Sequence, residues 1–78
     1  MSAAYARGEL VHVAVGATGK VGPVEFAGTN DRGEPRICVR FSPAWRHFAA
    51  PGDVRQATGA EAARWIALQA ARAVERIL

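Results

Sequence analysis

The chain has 78 residues, half of them hydrophobic, and a formal net charge of +3 from ten basic and seven acidic side chains. A chain of this length forms one small domain and hides only about 60–65% of the surface its unfolded form exposes. That excludes a doubly wound enzyme fold built from repeated βαβ units of about 30 residues each.

The hydrophobic half is too large for a disordered tail, yet much of it is alanine. The core must therefore be small, and self-association, as a homodimer, is expected. Nine of the ten basic residues are arginine, the side chain best suited to phosphate and to flat rings. An excess of +3 permits an RNA or DNA partner without demanding one. The lone cysteine, Cys38, has no internal disulfide partner, which fits a reducing cytoplasm. No apolar run reaches the roughly 18 residues of a membrane span, and the chain does not open on a signal peptide's apolar block, so no membrane partner is expected.

In chain order, residues 1–7 read as a flexible arm. Glu9 to Val15 is rich in β-branched residues, with Val11, Val13 and Val15 on one face and Leu10, His12 and Ala14 on the other, and predicts a first strand. Gly16-Ala17-Thr18-Gly19-Lys20-Val21-Gly22 follows, a glycine run that resembles the phosphate-holding turn of Rossmann dehydrogenases. That motif needs a helix starting at its glycines, and here Pro23 would fall inside it, at a cost of about 3 kcal/mol. A phosphate-binding loop is excluded as well, because only two residues separate Gly16 from Gly19 and Val21 follows Lys20. The glycines turn a corner, and Lys20 to Ala27 is the second strand, interrupted at Gly22-Pro23 by a bulge or an edge.

Thr29 to Glu34, "TNDRGE", is a hairpin loop. Pro35 to Phe41 alternates firmly, with Ile37, Val39 and Phe41 on one face and Arg36, Cys38 and Arg40 on the other. "AWRHFA" predicts a fourth strand and Val54 to Ala57 a brief fifth. At Thr58 the period changes: Thr58 and Glu61 fit a capping box, and a helix of 18–20 residues runs to the end. Its main stripe is Ala62, Trp65, Ile66, Ala70, Ala73 and Ile77, expected to pack across the strands.

The expected architecture is α+β and mostly β: a small five-stranded antiparallel barrel with one C-terminal helix. It is a single domain over residues 1–78, with an arm (1–7), a barrel (8–58) and a helix (59–78). Gly8, Val11, Val13, Gly16, Gly22 and Val24, in a valine-rich strand, a glycine turn and a Gly-x-Val strand, give residues 8–58 a likeness to KOW-type and other Src-homology-3-like barrels. Such domains commonly bind RNA, DNA or proteins of transcription and translation, so the resemblance implies binding rather than catalysis. The chain is also similar in length to the plasmid-borne type II dihydrofolate reductases. It reads Val54-Arg55-Gln56-Ala57 where those have Val-Gln-Ile-Tyr, and they lack a long terminal helix, so no catalytic residue carries over.

No catalytic set stands out, and two histidines with one cysteine lack metal-ligand spacing; neither a cofactor nor enzymatic activity is expected. Arg36 and Arg40 could lower the Cys38 thiol pKa, although a small side chain on a strand face is the simpler reading. The expected nucleic-acid surface comprises Lys20, Arg36, Arg40, Trp45, Arg46, His47 and Arg55. Arg36 and Arg40 span about 13 Å of one strand face, enough to track phosphates while Trp45 stacks on a base. The alternative is a protein-interaction module, such as a phage- or plasmid-type inhibitor or adaptor, working through a barrel edge or through Trp65, Leu68, Val74 and Leu78 of the helix.

Overall fold

The computed structural model describes residues 5–77, and side chains as far as Arg76. Five strands are followed by one helix: β1 (Leu10–Val15), β2 (Thr18–Thr29), β3 (Pro35–Ser42), β4 (Trp45–Ala49), β5 (Val54–Gln56) and α1 (Gly59–Ile77). All pairings are antiparallel, in the spatial order β4-β3-β2-β1-β5. The fold is thus mostly-β α+β, as the residue patterns predict. The sheet is not closed: β4 and β5 are its two edges, and no ladder joins them among the described residues.

Gly16, at φ +59°, opens the two-residue turn between β1 and β2, a backbone conformation that costs glycine little. The chain then continues as strand, so the glycine run does reverse direction and starts no helix. β2 is long because it serves two partners. Its first half, to Pro23, pairs with β1, and from Val24 onward it pairs with β3. The bend lies where Gly22 approaches β3: a Cβ there would come within 2.8 Å of the Arg40 carbonyl oxygen. Just beyond, Glu25 is the extra residue of a β-bulge between Val24 and Phe26.

Val11, Val13, Val24, Ile37, Val39, Ala49 and Val54 form the buried core, with Tyr5, Val15 and Phe41 packed on its rim. Burying one such branched side chain contributes about 1.5–3 kcal/mol, so few residues carry the sheet. Of the arm expected over residues 1–7, Tyr5 leans on the core, Ala6 donates its backbone N–H to Glu9 Oε1 at 3.1 Å, and residues 1–4 lie outside the described residues.

The capping box is present. The Glu61 N–H donates to Thr58 Oγ1 (3.2 Å) and the Thr58 N–H to Glu61 Oε1 (2.9 Å). The predicted stripe of α1 does not pack as expected. Only Glu61, Ala62, Trp65 and Gln69 are half-buried, and Ile66, Ala70 and Ala73 face outward. The helix meets the sheet chiefly beside β2 and runs on past it, giving extents of 45 × 26 × 24 Å. It is not apolar enough to cross a membrane.

Candidate functional site

The bulge at Glu25 decides what the outer face of β2, β3 and β4 presents. Without it, alternation from the buried Val24 would turn Phe26 inward. With it, Val24 sits opposite Val39, whereas Phe26 sits opposite Cys38, on the face away from the core. Cys38 in turn faces Phe48 across β4. A row Phe26–Cys38–Phe48 therefore crosses three strands. The two rings lean together edge to face, centroids 6.0 Å apart at 61°. Cys38 beneath them is fully buried, while Phe26 and Phe48 remain 50% and 53% exposed. The aromatic pair is thus held half in water, with a hollow of about 530 Å³ beside it lined by Arg32, Glu34, Arg36 and the turn of Asn30 and Asp31, which makes this face the candidate contact surface.

The neighbouring row is Arg40 opposite Arg46. Glu25 clamps both: Arg40 Nε donates to Oε2 (2.6 Å) and Arg46 Nε to Oε1 (2.8 Å). These bonds, Arg40's first, hold the Glu25 carboxyl below the usual carboxylate range. The Arg40 side chain also donates to the Pro43 carbonyl at 2.8 Å. The terminal NH₂ groups of Arg46 make no hydrogen bond among the described residues. On the other side of the aromatic row, Arg36 donates to the Pro35 carbonyl (2.8 Å) and lies 3.5 Å from Glu34. The Cys38 thiol is not activated by its arginine neighbours. Burial pushes its pKa up, and Glu25, 3.7 Å away, adds to that.

Of the seven residues singled out by sequence, the structure brings Arg36, Arg40 and Arg46 together and sends the others elsewhere. His47 lies opposite Val39 on the core side of β4. Trp45 packs edge-on against Phe41 at 5.0 Å, with the Lys20 ammonium 5.2 Å above its ring. Arg55, on β5, is held bidentately by Glu61 (2.8 and 3.0 Å). Trp45 therefore does not share a face with Arg36 and Arg40. Phe26 and Phe48 were missed by sequence reasoning. The parity of Phe48 with Arg46 on β4 was a readable signal, whereas that of Phe26 was hidden by the bulge.

On the helix, Trp65 and Leu68 border a cleft of about 430 Å³ opposite His12 and Val21. Val74 is exposed, and Leu78 lies outside the described residues. Among the described residues no three His, Cys, Asp or Glu side chains are grouped as a metal site requires. Comparison with family models, curated proteins and solved structures returns no match, so the reading of this face rests on its own geometry.

Proposed function

We propose that the chain is a non-catalytic module that binds single-stranded nucleic acid on the outer face of β2, β3 and β4. The observation that carries this reading is the exposed Phe26–Phe48 pair with arginines on both sides. Bases of a single strand stack on aromatic side chains, each worth about 1–3 kcal/mol, while guanidiniums follow the backbone. Arg40 and Arg46 are already fixed by Glu25, so less side-chain freedom is lost when a phosphate arrives. A duplex keeps its bases stacked inside and offers the rings nothing equivalent.

The plan of the sheet supports assigning it to the Src-homology-3-like type. One long bent strand is shared by two halves, and a 3₁₀ turn at Pro51–Asp53 precedes a short last strand that returns to β1. The likeness to KOW-type domains is of the same kind.

The test is binding of fluorescently labelled oligo-uridine and oligo-thymidine, read by anisotropy at 50 and 200 mM salt. Single strands bind better than duplexes, and Phe26→Ala or Phe48→Ala weakens binding about 5- to 100-fold. With two or three phosphates neutralised, the rise in salt costs about tenfold. Equal affinity for duplexes, or full affinity in both phenylalanine variants, overturns the reading.

A further inference from the structure

The cleft of about 430 Å³ between α1 and the sheet has a basic, partly apolar lining. Lys20 and Val21 of β2 stand on one wall, and Arg64, Trp65, Leu68 and Arg72 of α1 on the other. Arg64, Leu68 and Arg72 follow one another at four-residue steps, one per turn, and so form a slanting row with a rise of about 12 Å. Leu68, 48% exposed, separates the two guanidiniums, so the row reads cation, apolar, cation. The charge of the cleft is uncompensated. Glu61, the acid that lines it, is taken up by Arg55 at 2.8 and 3.0 Å and by the Thr58 N–H at 2.9 Å. Arg64 and Arg72 make no ion pair among the described residues, and the Lys20 ammonium has the Trp45 ring, 5.2 Å away, for its neighbour. Like charges along a recess focus their potential into it and draw in the opposite charge.

We propose that this cleft takes an acidic peptide segment of a protein partner, in extended form, with one apolar side chain between two carboxylates. An extended chain turns the side chains at i, i+2 and i+4 to one face over about 13 Å, which matches the rise of the row. Carboxylates at i and i+4 then meet Arg64 and Arg72, each a planar fork that suits a carboxylate, and the apolar residue at i+2 lies on Leu68. Lys20 adds positive charge from the opposite wall. A sugar–phosphate strand carries no apolar side chain at that spacing, and Trp65 is half-buried, so the row favours a peptide over a nucleic acid. The cleft shares no lining residue with the hollow beside Phe26 and Phe48, and the two surfaces can be occupied separately.

Titration of the ¹⁵N-labelled chain with the end-blocked peptide Asp-Thr-Leu-Thr-Asp, to 5 mM, tests the proposal. Amide shifts are expected at Lys20, Val21, Arg64, Leu68 and Arg72, together with the Trp65 indole. The peptide with serine for leucine binds several-fold more weakly, and Lys-Thr-Leu-Thr-Lys does not bind. Arg64→Glu with Arg72→Glu, both at exposed positions, leaves the sheet amide spectrum unchanged and reverses the preference between the acidic and basic peptides. Phe26→Ala binds the acidic peptide as the wild-type chain does. No shift at 5 mM, shifts centred on another face, equal binding of the serine peptide, an unreversed preference in the double variant, or displacement of the peptide by oligo-uridine overturns the proposal.

Discussion

At the scale of single residues, the glycine-rich corner shows how the same residue type can be required for different physical reasons. Gly16 supplies a positive φ for the turn, whereas Gly19 and Gly22 supply space. A Cβ at Gly19 would collide with the His12 ring, and one at Gly22 with the Arg40 backbone and the Phe41 ring. A side chain can rotate away, but the backbone of a paired strand cannot. Gly22→Ala is therefore expected to destabilise the sheet by about 1–3 kcal/mol, and Gly19→Ala by less than about 1 kcal/mol, in urea denaturation. The opposite ranking would contradict the bend described for β2. Pro23 is enough to exclude a nucleotide-binding helix from sequence alone, but the crowding at Gly22 is created by Arg40 of β3, a strand distant in sequence, and has no local signature. Cys38 is similar. Its arginine neighbours are visible in the sequence, and the burial that, with Glu25, raises its pKa is not.

At the scale of elements, alternation placed the faces of β1 and β3 correctly, because a two-residue period survives wherever no bulge intervenes. On β2 the interruption expected at Gly22-Pro23 lies instead at Glu25, where one extra residue exchanges the faces and puts Phe26 outside. The helix start was legible because a capping box is a local device: Thr58 and Glu61 are three residues apart and satisfy each other. Glu61 also holds Arg55, and this bond together with that from the Thr58 N–H lowers its carboxyl pKa from 4.5 to about 2. A carboxylate with a depressed pKa stabilises the fold fully above its ordinary value, and the contribution fades as pH falls toward the folded value. Helical circular dichroism should thus be constant above about pH 5 and decline between there and pH 2. In Glu61→Gln it should start lower and change less over that interval. An unaltered acid limb in the variant would remove Glu61 from the account. Glu25 shifts in the same direction, but it is a sheet residue and leaves the helical signal alone.

At the scale of the whole molecule, an open five-stranded sheet with a projecting helix presents two separate surfaces: the aromatic–arginine face and the basic cleft beside α1. Strand number, order of elements and the terminal helix were legible because periodicity and turn residues record them. The side of α1 that meets the sheet was not, since of the predicted stripe only Ala62 and Trp65 are half-buried while Ile66, Ala70 and Ala73 are exposed. The site was legible in part, its arginines announced by composition and its rings relocated by a bulge. The most direct measurement of the central claim is the map of amide chemical-shift changes when unlabelled oligo-uridine is added to the ¹⁵N-labelled chain. The account predicts changes centred on Phe26, Arg36, Cys38, Arg46 and Phe48. Changes centred on Lys20, Trp45 and His47 or on α1, or none at all with excess ligand, would contradict it.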